Sequence, residues 1–352
     1  MKKSLLLFFI LFFITAFSIA FRNKESGKEF EQKQKLSEYH FFTGKIADLK
    51  PSADLIPYDL NTPLFSNYAE KLRFIKLPAG VKATVGEKGD LDFPQGTVVI
   101  KNFYYQNDFR NPEKGRRILE TRLLVNEKKG WVAYPYIWND EQTDAEYDVA
   151  GDIKDISYTN SKGKQVNIHY IIPNKNQCKG CHLKGDKIIL IGPTAGQLNN
   201  DFNYEAGKQN QLQYWQQHNL ISGLQNIKSM DKLPDWDDKT QPLEGRARAY
   251  LDVNCGNCHN PQGPANTSGL FLNFNQTNSV ELGIMKSPVA AGRGAGKNSY
   301  DIVPGKPHKS ILTYRMQVND PGVAMPELGR EQIHKEGVEL ITQWIKQMKK
   351  TE

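Results

Sequence analysis

The chain has 352 residues and a formal net charge of +7, which becomes +5 if Lys2 and Lys3 are removed with an N-terminal leader. About 330 residues would then remain, enough for two domains with sizeable cores, so a single small domain is excluded. The small basic excess indicates a patchy protein-docking surface rather than a nucleic-acid partner. Apart from two short cysteine motifs, no internal repeat or low-complexity segment follows residue 35.

The N-terminus has the pattern of an export signal. Lys2 and Lys3 precede an apolar run from Leu5 to Ala20 that ends in small residues. Residues 1–20 are therefore predicted to be a signal peptide, or an uncleaved membrane anchor at the short end of spanning length. Residues 21–35 are charged and contain glutamine, which is typical of a tether. The protein is expected to be periplasmic or otherwise extracytoplasmic.

Residues 36–200 have a β pattern. Five strand-like runs are separated by clusters of Gly, Asn, Asp and Lys at hairpin-like intervals. The runs are Val98 to Phe103, Ile118 to Val125, Trp131 to Trp138, Ile153 to Thr159 and Val166 to Ile172. Many short strands with turn residues between them predict a sandwich or a barrel-like sheet.

The pattern becomes helical after about residue 200. Residues 201–240 are predicted to be a helical connector containing a helix from Gln209 to Leu220, and residues 241–350 an all-α domain. Within that domain, helices are expected from Pro242 to Asn254 and from Glu331 onward. The predicted fold class is therefore α+β and multidomain, with a β-rich N-terminal domain followed by an all-α domain.

Two pentapeptides contain all four cysteines: Cys178-Lys179-Gly180-Cys181-His182 and Cys255-Gly256-Asn257-Cys258-His259. Both read C-x-x-C-H, the attachment signature of c-type haem. In such a site the two thiols add across the haem vinyl groups and the histidine binds the iron. The sequence therefore predicts two covalently attached haem c groups, held by Cys178 and Cys181 and by Cys255 and Cys258, with His182 and His259 as iron ligands. Covalent haem is attached after export, which agrees with the N-terminal signal.

Three other readings of the cysteines are weaker. The pairs of a structural zinc site usually lie about 15–20 residues apart, whereas 74 positions separate Cys181 from Cys255, and zinc would not require the histidines. A dithiol redox motif expects a preceding strand in a βαβ unit, but Arg246 to Leu251 has a helical pattern. Structural disulfides are the third reading. A c-type haem is favoured over all three.

Met325 is the predicted sixth ligand of the second haem. It lies in Ala324-Met325-Pro326, where proline fixes the local backbone and cannot extend a helix. A methionine opposite histidine raises the reduction potential. Met316 and Met285 compete, but the residues before Met316 look helical and Met285 has no adjacent proline.

The sixth position of the first haem remains open from sequence. His169, His218 or Met230 could occupy it, or the iron could be five-coordinate. Apolar strand side chains, namely Val98, Ile100 or Phe103, are expected to line this position and to leave a dry site for a small ligand.

The chain resembles an uncharacterised family of bacterial secreted dihaem c-type cytochromes over nearly all of its length after Leu36. The residues that carry the resemblance are 57–66, 93–97, 120–124, 176–178, 250–255, 288–294 and 325–330. This resemblance implies two covalent haems, one in an N-terminal β domain (36–200) and one in a C-terminal cytochrome c-like domain (241–350), without a settled activity. The β half also looks like the β-domain cytochromes, some of which carry a lysine–haem cross-link. Lys101 lies in the matching segment, but it is expected to be an ordinary exposed strand lysine.

The expected function is electron transfer by a secreted dihaem cytochrome with a redox protein as its partner. Two propionates on each haem would bring the holoprotein closer to neutral, so no nucleic-acid partner is expected. The alternative is a haem enzyme or a small-gas binding protein, in which the N-terminal iron is open and the second haem relays electrons. A structural haem protein that docks on a secreted dehydrogenase is a third possibility.

Overall fold

A computed structural model describes residues 29–349 except 225, 228 and 229. The predicted signal peptide, 1–20, and the tether residues 21–28 lie outside the described residues. The rest of the predicted tether packs against the sheet rather than extending freely. The ring of Phe30 stacks on Tyr39 with 5.3 Å between centroids, and the amide of Tyr147 donates to the carbonyl of Gln34 at 2.9 Å.

The described residues contain fifteen strands and six α-helices. The strands are β1 (Ile56–Tyr58), β2 (Glu70–Lys76), β3 (Ala83–Val85), β4 (Leu91–Asp92), β5 (Val98–Gln106), β6 (Arg116–Glu127), β7 (Gly130–Trp138), β8 (Ala145–Tyr147), β9 (Asp152–Thr159), β10 (Gln165–Ile172), β11 (Leu183–Lys184), β12 (Lys187–Ile188), β13 (Asp201–Tyr204), β14 (Gly207–Asn210) and β15 (Ile221–Ser222). The helices are α1 (Lys175–His182), α2 (Ala195–Leu198), α3 (Gln211–Gln217), α4 (Leu243–Leu251), α5 (Ile311–Met316) and α6 (Lys335–Gln347). None of these helices is long and apolar enough to cross a membrane.

A six-stranded antiparallel sheet in the order β1-β2-β5-β6-β7-β8 is the centre of the fold. Its central strand, β5, is rich in β-branched and aromatic residues and has both faces covered. Val98 and Ile100 point to one core, which also contains Leu36, Phe41, Phe74 and Trp138. Val99 points to the other core, with Ile75, Leu124, Leu212 and Trp215. Period-two alternation along β5 therefore separates two different environments.

The five strands predicted from sequence are present as β5, β6, β7, β9 and β10, with ends within a few residues of the prediction. β9 and β10 form a separate hairpin that leads directly into α1. A third, small sheet has the order β15-β3-β4, in which β15 pairs with β3 in parallel.

Residues 201–240, predicted as a helical connector, contain the hairpin β13–β14 before α3 and the strand β15 after it. The predicted helix begins two residues later than expected because Asn210 is its N-cap. The side chain of Asn210 accepts hydrogen bonds from the amides of Leu212 and Gln213 at 3.0 and 3.3 Å. Residues Gly207–Asn210 form the strand β14, which pairs with β13.

The prediction of an all-α C-terminal cytochrome c-like domain is wrong. The chain is β-rich, and residues 241–349 contain three α-helices of only 9, 6 and 13 residues. The long stretch between α4 and α5 begins with a π-helical turn and otherwise consists of turns and short 3-10 segments. Its many glycines and prolines explain this difference, because they terminate helices and favour turns. The all-α prediction extended the helical periodicity of residues near 250 and 340 to the chain between them, which lacks that periodicity.

The C-terminal part is joined to the sheet by the segment 61–68, which connects β1 to β2. The amide of Phe65 donates to the side chain of Asn254 at 3.0 Å, and the Phe65 ring stacks on His334 with 4.1 Å between centroids. The side-chain oxygen of Asn67 accepts from the amides of Glu331 and Gln332 at 2.6 and 3.0 Å. Buried polar contacts of this kind need a fixed arrangement of both partners.

Gly337 allows α6 to approach α4 closely. A Cβ atom at position 337 would lie 2.2 Å from the hydroxyl of Tyr250, which is hydrogen-bonded to Nδ1 of His334 at 2.9 Å. Gly337→Ala is therefore expected to lower the free energy of unfolding by about 1–3 kcal/mol, although alanine is the better helix former. Chemical denaturation measures the change.

Gly196→Ala is the matched control, since Gly196 is also helical and the nearest atom to its added Cβ is at 3.5 Å. The control should keep or slightly raise the stability. Equal stability of the Gly337→Ala variant and the wild type would contradict the packing of α4 on α6.

Candidate functional site

The first C-x-x-C-H motif lies on α1. Asn174 caps this helix: its side chain accepts from the amide of Gln177, and the Gln177 side chain accepts from the amide of Asn174, both at 2.9 Å. Cys178, Cys181 and His182 follow at helical spacings of three and four residues, which places them on one face. The cap therefore fixes the position of the two thiols and the imidazole together.

The imidazole of His182 is held by the turn that follows α1. The β11–β12 hairpin brings the carbonyl of Ile189 to 2.8 Å from Nδ1 of His182, so Nδ1–H donates and Nε2 remains as the metal-binding nitrogen. Burial, together with the nearby cations Lys101 and Arg122, lowers the pKa of His182 to about 4. The ring is therefore neutral at pH 7, as a metal ligand requires.

The second motif follows α4 through a π-helical turn, Asp252–Gly256, a feature frequent at functional sites. After this turn the amide of His259 donates to the carbonyl of Cys255 at 2.9 Å. The imidazole of His259 interacts with the backbone carbonyl of Leu270, and its Nδ1 lies 3.4 Å from the hydroxyl of Ser268. Burial lowers the pKa of His259 below its usual value. Both histidines thus use Nδ1 for protein contacts.

The two motifs line one cavity of about 1810 Å³. Its walls come from both parts of the chain: the sheet, α1 and the segment before α2 on one side, and α4, the turns after it and residues 325–330 on the other. Sγ of Cys258 lies 3.6 Å from the carbonyl oxygen of Gly180, so the motifs touch each other. The 72 residues between the two motifs fold so that the second motif lies against the first.

The thiols of Cys181 and Cys258, one from each motif, lie close enough to shift each other's pKa. The interaction lowers the pKa of Cys181 to about 7 and raises the pKa of Cys258 above its usual range. Burial raises the pKa of Cys255 to about 12 and also raises that of Cys178. None of the four cysteines forms a disulfide. The cavity therefore offers four free thiols and two neutral imidazoles.

Of the three methionines considered for the second haem, Met325 lines the cavity. Met316 lies on α5 in the C-terminal core and is 4% exposed, and Met285 is 43% exposed on the surface. Neither of these two is part of the cavity wall. The structure thus brings Met325 and His259 to the same space.

The candidates for the first haem are separated by the structure. Met230 lines the cavity, whereas His169 is exposed and pairs with Asp155 on the neighbouring strand. His218 is also exposed, and its Nδ1 lies 2.8 Å from the carbonyl of Tyr214. Neither histidine lines the cavity.

The expectation that Val98, Ile100 and Phe103 line this cavity is wrong. Val98 and Ile100 point to the opposite face of the sheet and belong to its other core. Phe103 is buried beneath Lys101 and Arg122, whose charged groups lie 4.8 and 4.4 Å from its ring centroid. The cavity wall on β5 is formed by Val99 and Lys101 instead.

Sequence reasoning missed the cationic character of this wall. Arg73, Lys101 and Arg122 line the cavity, and Lys101 is not the exposed strand lysine that was expected. Burial, followed by the charges of Arg73, Lys71 and Arg122, lowers the pKa of Lys101 well below its usual value. The alternation of β5 contained the signal, because Lys101 occupies the same face as Val99.

The second motif has cations around it as well. Arg315, Arg330 and Lys286 line the cavity on that side. Arg330 donates from Nη1 to the carbonyl of Met316 at 2.7 Å, and its buried Nε has no hydrogen-bond partner. Lys286 pairs with Asp301 at 3.3 Å.

Comparisons of the chain with models of protein families, with curated proteins and with solved structures found no match.

The contact between Cys181 and Cys258 predicts an order of thiol reactivity in the protein before cofactor attachment. Cys181 should react fastest with iodoacetamide, and its rate should rise with pH through about 7, because the thiolate is the nucleophile and the neighbouring Cys258 lowers the pKa of Cys181. Cys258→Ala removes that neighbour and should slow the alkylation of Cys181 at pH 7. Peptide mass spectrometry after timed alkylation measures each rate.

Cys255→Ala serves as the control, because Cys255 makes no comparable contribution to the pKa of Cys181. If Cys258→Ala and Cys255→Ala leave the Cys181 rate equally unchanged, the two motifs do not touch in solution.

Proposed function

We propose that the protein is a dihaem c-type cytochrome that transfers electrons in the cell envelope, with both haems housed in one shared cavity. The observation that supports this proposal most strongly is the convergence of two C-x-x-C-H motifs on a single space, each with its histidine held through Nδ1. Two unrelated structural sites would have no reason to meet in this way.

The residues present fit haem in number, size and chemistry. Pockets for one small molecule usually measure about 300–1,000 Å³, so a cavity of about 1810 Å³ has room for two large cofactors. Each motif supplies two free thiols and one neutral imidazole. Apolar residues of both parts line the space, among them Leu60, Leu64, Val99, Ile189, Leu270, Leu272 and Leu328. The cations in the wall suit the propionate groups.

When bound, haem supplies one-electron redox chemistry. Cys178 and Cys181 would hold the first group and Cys255 and Cys258 the second, with Nε2 of His182 and of His259 as iron ligands. Met325 would supply a thioether to the second iron, which favours its ferrous state. The apolar wall excludes water and so sets the potential, while buried cations oppose the loss of an electron.

The contact between Cys181 and Cys258 has a functional meaning within this proposal. Because these residues attach neighbouring groups, the two attachment sites lie side by side rather than at opposite ends of the molecule. Electron exchange inside one chain is then favoured over exchange between chains. The partner at the surface would be a redox protein, docking through charged patches.

A haem enzyme or a small-ligand binding protein is the second candidate. The observation that favours it is the position of Lys101 and Arg122, which face the cavity near His182. Charged groups beside a metal site are typical of sites where a ligand or a reacting species carries charge. Coordination and spin state of the first iron distinguish the candidates, because an electron relay is expected to have two six-coordinate irons.

Covalent haem loading tests the proposal directly. Protein expressed with an export signal and a haem-attachment system should retain two haems after denaturation, since thioether bonds survive unfolding. Changing both Cys178 and Cys181 to Ala should remove one haem, and changing Cys255 and Cys258 should remove the other. Intact-protein mass spectrometry counts the groups, and fewer than two on the wild type would refute the proposal.

Met325→Ala is expected to abolish the weak far-red band that a thioether ligand gives ferric haem, and to lower one of the two reduction potentials. Met316→Ala is the control, because Met316 lies in the C-terminal core close to Met325 but does not line the large cavity. Spectra and a redox titration of both variants provide the measurement. A far-red band that persists in the Met325→Ala protein would show that another residue is the ligand.

A further inference from the structure

Three cations form a row across the central sheet. Arg73 on β2 is the cross-strand partner of Lys101 on β5, and Lys101 is the partner of Arg122 on β6. All three line the cavity. Like charges directly opposite one another on a sheet face destabilise it, and here Arg73 is buried while Lys101 and Arg122 are half-buried. A row of this kind calls for a compensating negative charge.

Carboxylates pair with the two end cations of the row, Arg122 and Arg73, but not with Lys101 at its centre. Arg122 makes two hydrogen bonds of 2.6 Å to Glu120, which also accepts from the hydroxyl of Tyr170 at 2.9 Å. Arg73 pairs with Asp59 through Nη1. In the described part of the chain, the amino group of Lys101 makes no hydrogen bond or ion pair, and its Nζ lies 4.8 Å from the centroid of the Phe103 ring.

Arg73 adds a second unsatisfied group. Its side chain is 4% exposed, and its Nε and Nη2 have no hydrogen-bond partner. Buried guanidinium donors without acceptors are costly, so Asp59 compensates the charge of Arg73 only in part, while Nε and Nη2 lie below the accessible surface of the cavity. The wall thus presents the unpaired amino group of Lys101 between two guanidinium groups, on strands that are fixed by pairing on both sides. An anion at this position would favour the protonated form of Lys101.

We propose that Arg73, Lys101 and Arg122 form a binding site for a small oxyanion, next to the first C-x-x-C-H motif. This inference rests on the proposed function in one respect, since the oxyanion could be a haem propionate or a free anion such as nitrite. The position favours the free anion. Lys101 and Arg122 act electrostatically on Cys181 and His182. A haem held by these residues would have its thioether edge there, and its propionates would belong to the other edge.

The test is nitrite binding to the dihaem protein, followed by isothermal calorimetry and by the Soret band of the ferric protein. The wild type should bind nitrite, and Lys101→Met should weaken binding about tenfold or more, because a charged hydrogen-bond donor is lost. Lys76→Met is the matched control. Lys76 lies on β2 of the same sheet, but it pairs with Asp54 and does not line the cavity. Its nitrite affinity should equal that of the wild type.

The Lys101→Met variant should fold, because a methionine of similar volume relieves repulsion in the row. Its melting temperature and its haem content by mass spectrometry are measured alongside binding.

Resonance Raman spectra distinguish the two sources of the oxyanion. If a propionate occupies the site, the wild type binds no nitrite, and Lys101→Met shifts a propionate bending band that Lys76→Met leaves in place. The proposal is overturned if the wild type binds no nitrite and this band does not move, or if nitrite binds equally to wild type and Lys101→Met. A protein without haem would refute the proposed function alone, since calorimetry with nitrite still tests the cation row.

Discussion

Everything in this fold is arranged around a space that its own side chains do not fill. Protein interiors are packed as densely as organic crystals, and each cubic ångström of dry cavity costs roughly 24 cal/mol. At that rate a dry space of about 1810 Å³ would exceed the whole stability of a typical domain, about 5–15 kcal/mol. The sheet face, α1, α4 and residues 325–330 surround this space, and under the proposed function two haem groups would fill it. The two cysteine motifs are the positions at which those groups would be attached.

The segment 61–68 fixes the distance between the two sides of this space. Its contacts are mostly polar and directional: Phe65 to Asn254, Asn67 to the backbone near residue 331, and the hydroxyl of Tyr68 to Glu336 at 2.8 Å. Hydrophobic packing alone tolerates sliding, whereas such hydrogen bonds specify one arrangement. A connection of a few residues between β1 and β2 thus determines how the C-terminal part meets the sheet, and how close the two motifs come.

The sequence was most informative where chemistry is local. The C-x-x-C-H spacing, the strand-like runs and the Met-Pro loop could each be read from a few neighbouring residues, and the structure has strands at those runs and Met325 at the cavity. It was least informative where the outcome depends on distant partners. Which face of β5 meets the cavity is set by the pairing of β2 and β6, so Val98 and Ile100 were assigned to the wrong side. The all-α domain failed because two amphipathic helices do not determine the structure of the glycine-rich chain between them. The meeting of Cys181 with Cys258 had no sequence signal at all.

The shared cavity constrains the order of cofactor attachment and folding during biosynthesis. Its walls are contributed by residues from Tyr58 to Arg330, so the space closes only after nearly the whole chain has emerged. Groups attached to four thiols inside it must reach them before closure, while the chain is still open. Under the proposed function, maturation therefore comes before folding, and a chain that misses one cofactor has no complete interior to collapse upon. Such a chain would stay accessible to envelope proteases, so that the same architecture that places two redox centres together also removes the copies that lack one.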